Sequence, residues 1–277
     1  MAGVSCPLCE GRDARLEAPW REYQLVRCGA CDLVYSDRMD VPAALYDEAY
    51  DHHAAYQGYV EQARSSAERL HVAWAWQHFL RFARPEGRLL DVGCATGAFM
   101  QVAKSRGWSA AGIDISPAAA KAAREVTGDE VHTGTLESCR FHSGSFDGVT
   151  AWEVLEHVSR PRAFVAEVFR ILRPGGVVAL STPNWRSRWE RRAQDDNRRP
   201  PYHLTYWSEG PAVRLLSDAG FVNVATREKP LAWAEEVGRW KWAYLPVAIV
   251  RSVVLQQRAN RLLMLGRKPP PGREGGS

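Results

Sequence analysis

The sequence predicts a doubly wound α/β domain, a parallel sheet with helices on both faces, preceded by a small cysteine-bearing ribbon. Three observations predict it. Short apolar stretches alternate with amphipathic ones from Leu89 to Pro183, and such alternation implies right-handed crossovers and a parallel sheet. The first of these strands, in "LLDVGCATGAF" (Leu89 to Phe99), dissolves into small residues where a helix would start; a turn without side chains lets backbone approach a ligand closely. Two C-x2-C pairs, Cys6/Cys9 and Cys28/Cys31, lie near the amino terminus.

The chain of 277 residues, 45% hydrophobic and 25% charged, is long enough to bury a large core. Its net charge of +4 is too mild to demand a nucleic-acid partner. No cationic start leads into an apolar segment, and no apolar run nears the ~18 residues of a membrane span. A cytoplasmic protein is expected.

Taken in order, the first element is the ribbon, residues 1–36. Eighteen residues separate Cys9 from Cys28, a spacing that fits a two-knuckle zinc site in which four thiolates close one tetrahedral ion. Pro7 and Gly29 ease the knuckle turns, and "RLEAPWREYQLVR" between them reads as a hairpin. With no fifth ligand in the pattern, the zinc of Cys6, Cys9, Cys28 and Cys31 is expected to be structural. Residues 32–56 read as a loose linker. Within 37–84, "QARSSAERLHVAWAWQHFLRFA" reads as a helix ending before Arg84-Pro85-Glu86-Gly87.

Residues 85–268 carry the sheet. Leu89–Val92 reads as a strand, Ala98–Arg106 as a helix stopped by Gly107, and Ala110–Ile113 as the second strand. Ser116-Pro117 supplies an N-cap and an N1 proline for a helix that Gly128 ends. Val131-His132 is the third strand and Phe146–Trp152 the fourth. "PRAFVAEVFRIL" places Phe164, Val165, Val168, Ile171 and Leu172 on one helical face, and Pro174-Gly175-Gly176 turns it into the strand "VVALSTP". "FVNVATREKP" and "NRLLMLGRKP" follow as strands six and seven, around an aromatic and basic insertion at about 230–260. Val247, Val250, Val253 and Val254 give that insertion an apolar stripe suited to a packed helix, a lid, a dimer contact or a membrane-surface contact. Residues 269–277 read as a disordered tail. Cys94 and Cys139, without partners in the pattern, read as small buried residues.

The turn is not a dinucleotide fingerprint, because the third and sixth positions counted from Gly93 are Ala95 and Ala98. Its spacing, Asp91-x-Gly93-x-Ala95-x-Gly97, resembles motif I of the class I S-adenosylmethionine-dependent methyltransferases. "AAGIDISP", "HTGTLES", "FDGVTAWEVLEHV", "ILRPGG", "STPN", "HLTYWS" and "LLSDAGF" follow in order, and resemble the branch related to ubiquinone-pathway and sugar methyltransferases over about residues 85 to 230. A four-cysteine ribbon ahead of such a domain is similar to known sugar C-methyltransferases.

The resemblance implies a Rossmann-like sheet of seven strands, the last antiparallel. It also implies a cofactor site built from Asp91, Gly93, Ala95, Gly97, Asp114, Ile115, Leu136, Trp152 and Glu153. Asp114 would accept hydrogen bonds from the ribose hydroxyls and Leu136 would cover the adenine; where the family often has an acid for the adenine amine, this chain has Thr135. The sulfonium already makes its methyl electrophilic, so the transfer itself requires no metal, only an aligned nucleophile. A hydroxyl or acidic carbon gains from a general base, and the candidates are His157 in "LEHV" and His203 in "PPYHLTYWS". The competing reading gives them loop geometry, capping or packing. Glu156 is expected to be structural. Tyr202, Tyr206 and Trp185 are the candidate substrate contacts, with packing the alternative.

"WRSRWERRAQDDNRRPP" holds six arginines, suited to phosphate or nucleic acid, or to internal ion pairs in a solvated loop. The Pro-Pro-aromatic run in "RPPYH" is not the amine-methylating signature, which follows the fourth strand. The expected function is methyl transfer to oxygen or carbon of a small molecule: an activated sugar or a natural-product or glycan intermediate, anionic or lipid-linked, by a monomer or homodimer. Two other readings stand: an RNA methyltransferase that grips its substrate with the ribbon and the Arg-rich loop, and a noncatalytic S-adenosylmethionine-binding partner subunit.

Overall fold

The computed structural model describes residues 4–39, 66–84, 86–192, 196–229 and 261–271. The insertion at 230–260, the linker at 40–65 and the end of the tail lie outside the described residues, as do the side chains of 66–73, Trp189, Asn197 and Lys229.

The ribbon opens with β1 (Ala14–Trp20) and β2 (Tyr23–Cys28), paired antiparallel as the hairpin pattern requires. β3 (Val34–Ser36) adds antiparallel to β2, within what reads in the sequence as linker. Three residues are too few for an alternation to register, yet all three are buried.

After α1 (Ser66–Phe82) the alternation runs as the pattern predicts: β4 (Arg88–Val92), α2 (Ala98–Lys104), β5 (Ser109–Asp114), α3 (Pro117–Thr127), β6 (Glu130–Thr133), β7 (Phe146–Trp152), α4 (Pro161–Ile171) and β8 (Leu172–Pro183). Ser116 caps α3, its hydroxyl accepting from the Ala119 N–H at 3.2 Å, and Gly128 closes the helix in the left-handed region. Pro174-Gly175-Gly176 is not a turn between elements. Leu172 already pairs with Phe146, and an irregularity in the ladder absorbs the three residues inside β8. α5 (Arg188–Arg192), β9 (Thr205–Tyr206), α6 (Glu209–Asp218), β10 (Val222–Lys229) and β11 (Arg261–Arg267) complete the described chain.

The sheet order is β10-β11-β8-β7-β4-β5-β6. β4 to β8 are parallel; β11, the seventh strand, enters antiparallel between β8 and β10. Both faces are covered, so the middles of β8 (Val177–Leu180) and β11 (Leu262–Leu265) are continuous apolar runs. Val178, Leu180, Leu262 and Met264 pack with α4 and α6; Val177, Ala179, Leu263 and Leu265 pack on the other face with Ala75, Trp76 and Phe79 of α1 and with Phe99. Cys94 is buried with Met100, Ala120 and Ala123, and Cys139 is partly buried against the main cluster. No helix among the described residues is long and apolar enough to cross a membrane.

β9 joins the ribbon rather than the large sheet. Val34 pairs with Tyr206 and Tyr35 with Thr205, giving a four-stranded sheet β1-β2-β3-β9. The chain segment that carries His203 is therefore held between the two sheets.

Candidate functional site

At the carboxyl end of β4 the backbone folds back on β5. The N–H groups of Gly93 and Cys94 both donate to the Ile113 carbonyl, at 2.7 and 3.0 Å. Gly93, Ala95 and Gly97 take φ of 70°, 50° and 77°, a region that costs a residue with a Cβ about 1 kcal/mol or more. Asp114 ends β5 and bridges the two turns: one carboxylate oxygen accepts the Ala95 N–H and the other the Ser116 N–H, each at 2.9 Å. Each oxygen keeps a second lone pair. Burial raises the Asp114 pKa while the two backbone donors hold it down. Ile115, next along, is 43% exposed, an apolar side chain open to the space above the sheet edge. Asp91 is buried beneath the turn, takes a 2.7 Å hydrogen bond from the Thr150 hydroxyl, and is pushed up to about 7 by burial.

The carboxyl end of β7 supplies the second half. Glu153 sits at φ 53°; its Oε1 accepts from Ser181 Oγ at 2.8 Å and its Oε2 lies 3.4 Å from Arg261 Nε. The helical turn Leu155–His157 is tied to the segment before β9: the Leu204 N–H donates to the Glu156 carbonyl at 2.8 Å and the Thr205 hydroxyl to the Leu155 carbonyl at 3.2 Å. This lacing brings His157 and His203 edge to face, ring centroids 4.8 Å apart. His157 Nδ1 lies 2.8 Å from the Tyr202 carbonyl. A carbonyl only accepts, so Nδ1 carries the proton and Nε2 the lone pair. Burial lowers the pKa of both imidazoles, His203 further through the positive charges of its neighbours, so both are neutral near pH 7. Glu156, 1% exposed, lies within reach of both rings, and burial raises its carboxyl pKa well above the usual range.

In the ribbon the four sulfurs converge. Cys6 and Cys31 Sγ are 3.5 Å apart, as are Cys9 and Cys28 Sγ, and all four lie within 4.8 Å of one another. A disulfide needs about 2 Å, whereas ~2.3 Å bonds to a tetrahedral zinc place sulfurs roughly 3.8 Å apart. Backbone N–H groups of Leu8 and Cys9 face the Cys6 sulfur, and those of Ala30 and Cys31 the Cys28 sulfur. Each knuckle ends on a left-handed residue, Glu10 or Asp32. The four thiols suit one zinc ion.

A family model described as a methyltransferase domain matches residues 59–226, more than half of the chain. The chain belongs to this methyltransferase family. Among curated relatives, a ubiquinone biosynthesis O-methyltransferase of Xanthomonas campestris is 36% identical over 110 residues, covering 38% of this chain and 46% of the relative. A 2-methyl-6-phytyl-1,4-hydroquinone methyltransferase of Synechocystis is 33% identical over 139 residues, covering 48% and 40%. The chain spans about half the length of the curated relatives it matches. A SAM-dependent methyltransferase of Thermotoga maritima has the same fold, with TM-score 0.60 and 19% identity over 80% of this chain and 98% of that one.

In this chain, Gly93, Ala95, Gly97, Asp114 and Ile115 share the carboxyl edge of β4 and β5, with Asp91 beneath them. Trp152, Glu153, His157 and His203 gather at the ends of β7 and β8. Leu136 is 2% exposed and lies in the main core. Trp185 and Tyr206 pack on each other and, with Leu25 and Val34, form a buried cluster under the ribbon. The Trp185 indole donates to Glu17 at 3.3 Å and the Tyr206 hydroxyl to the His203 carbonyl at 3.1 Å. Tyr202 contributes its carbonyl to His157. In the Arg-rich loop, Arg198 pairs with buried Glu190 at 2.8 Å and Arg199 donates to the Glu190 carbonyl at 2.8 Å, among the rings of Trp20, Trp185 and Tyr206.

Glu156, expected to be structural, lies beside both histidines, and Thr150 and Ser181, absent from the expected site, hold Asp91 and Glu153. Glu156 had a signal, an acid beside His157 at a strand end; Thr150 and Ser181 gain their partners only through strand pairing.

Proposed function

We propose that this methyltransferase moves the methyl group of S-adenosylmethionine to a hydroxyl oxygen of a small-molecule acceptor. The observation that carries the reading is one sheet edge with two halves. The glycine-rich turn bridged by Asp114 closes one half, and the Glu156, His157 and His203 group closes the other. A ligand lying across the carboxyl ends of β4, β5 and β7 meets both.

The first half would hold the cofactor. Asp114 has lone pairs left that would meet the ribose hydroxyls, Ile115 would offer apolar surface to the adenine, and Asp91 would meet the ammonium of the methionine portion. Glu153, fixed by Ser181 and Arg261, would border the transferred methyl. The second half would receive the acceptor hydroxyl and promote loss of its proton as oxygen attacks carbon in line behind the sulfonium. The relatives' names favour a ring hydroxyl of the quinol kind over a sugar.

The RNA reading has one observation in its favour. Arg198 and Arg199 are engaged with Glu190, but Arg186, Arg188, Arg191 and Arg192 remain exposed, a basic patch for an anionic acceptor. Incubation of purified protein with methyl-labelled S-adenosylmethionine and cell extract decides between them. Mass spectrometry is expected to find label as an O-methyl group in the organic-soluble small-molecule fraction. Label confined to RNA, or none in any fraction, overturns the proposal.

A further inference from the structure

Three side chains at the acceptor end of the site are arranged in a way that acid-base chemistry alone leaves unexplained. One ligand atom from each of Glu156, His157 and His203 lies within 4.8 Å of the others. Glu156 and His203 are 1% and 6% exposed; the Thr182 hydroxyl lies against the Glu156 carboxyl, while among the described residues His203 Nδ1 has no hydrogen-bond partner. Buried polar atoms are almost always bonded, and here a buried imidazole nitrogen lacks a partner on a ring that lies beside a buried carboxyl and a second imidazole. The third member is oriented from behind: the Tyr202 carbonyl accepts a hydrogen bond from the His157 Nδ1–H, which leaves the Nε2 lone pair for the cluster. A backbone carbonyl on the far nitrogen is how proteins orient a histidine that ligates a metal. Glu153 stands outside the group, because Ser181 and Arg261 engage its two oxygens.

We propose that Glu156, His157 and His203 form a second metal site, distinct from the ribbon, for one divalent first-row cation. Two imidazoles and one carboxylate are a donor set for manganese, iron, cobalt or zinc rather than for calcium or magnesium, which prefer all-oxygen shells. The spacing closes, with modest side-chain rotation, to the ~3 Å expected between neighbouring ligands at ~2.1 Å bonds. Three protein ligands leave open coordination positions. One of them would take the acceptor hydroxyl, a role that rests on the methyl-transfer reading above, whereas the site itself does not. The bound hydroxyl loses its proton to solvent more readily on the cation. The resulting oxygen forms a bond to the methyl carbon, the carbon–sulfur bond breaks with its electron pair going to sulfur, and S-adenosylhomocysteine leaves neutral at sulfur.

The test uses full-length protein with its ribbon zinc retained, because four thiolates keep zinc over manganese. Mn²⁺ is titrated in and free Mn²⁺ is read by electron paramagnetic resonance. One Mn²⁺ is expected to bind per chain, at least tenfold more weakly in Glu156→Gln and His203→Ala, with zinc content and S-adenosylmethionine affinity unchanged as evidence of folding. No binding by the wild type, or equal binding by both variants, overturns the site. Label transfer into extract is measured with and without Mn²⁺ on the same samples. Transfer that ignores the cation overturns its role and leaves the site standing; tight Mn²⁺ binding with no transfer under any condition overturns the methyl-transfer reading and leaves the site standing.

Discussion

Asp91 is a carboxylate at 1% exposure with a hydroxyl partner, and burial pushes it up to about 7 from an ordinary value near 3.8. The folded chain thus holds this proton more tightly than the unfolded one, so stability falls as pH rises between about 4 and 7, by at most ~1.4 kcal/mol per pH unit. Asp91→Asn is expected to flatten that fall, in thermal unfolding followed from pH 5 to 8. If the cofactor's ammonium meets Asp91, binding at pH 6 releases a proton from the wild type and none from Asp91→Asn. Calorimetry in buffers of different ionisation enthalpy reads this, and equal proton release by both proteins removes Asp91 from the site. Gly93 is constrained twice. Its φ is 70°, and a Cβ there would lie 2.5 Å from Val154 Cγ2. Gly93→Val is expected to weaken S-adenosylmethionine binding by about tenfold or more, since strain at such positions costs ~1–3 kcal/mol. Gly93→Ala with Val154→Ala should recover part of that loss, and no recovery would place the whole cost in the backbone. The freedom required at Gly93 was legible in its motif; its contact with Val154, which comes from another strand end, was not.

Strands buried on both faces announce themselves, so β4, β7, β8 and β11 were legible, and so were the cap and stop of α3. β3 and β9 were not: with three and two residues they carry no period, and their pairing joins segments that only the folded chain brings together. The same limit hid the three-residue cluster, whose two histidines meet because Leu204 and Thr205 lace onto the turn at Leu155–Glu156. β9 begins two residues after His203, so a zinc ion held by the ribbon would act at a distance on the acceptor end proposed above. Cys28→Ser, or zinc removal by chelation, is expected to loosen β3 against β9 and leave Asp114 and the Gly93–Gly97 turn in place. Cofactor affinity should then change little while single-turnover transfer falls by up to about 10²-fold, the order that small misplacements of reacting groups cost. Equal losses in affinity and transfer would mean that the zinc supports the fold as a whole.

Apolar packing crosses the boundary expected at residue 36. Leu8, Leu33 and Tyr35 of the ribbon share one cluster with Leu155, Trp207 and Leu215, while Val34 lies with Trp185 and Tyr206. Polar ties cross the same boundary: Arg21 to Asp196 at 2.6 Å, Arg162 to Glu10, and the Trp185 indole to Glu17. The exposed ion pairs among these add little; the apolar contacts decide. Burying one large apolar side chain contributes roughly 1.5–3 kcal/mol, and the four ribbon side chains together are comparable with the ~5–15 kcal/mol that keeps a domain folded. Deleting residues 1–36 removes them all and uncovers Trp207, which is fully buried. Cys28→Ser removes one candidate metal ligand and keeps the four. The shortened chain is therefore expected to fall well below Cys28→Ser in denaturant midpoint, and to be cleaved by protease under conditions where Cys28→Ser survives. A shortened chain that unfolds at the wild-type midpoint and binds S-adenosylmethionine with wild-type affinity would make the ribbon a separate appendage, and the lacing of His203 would then need no support from it.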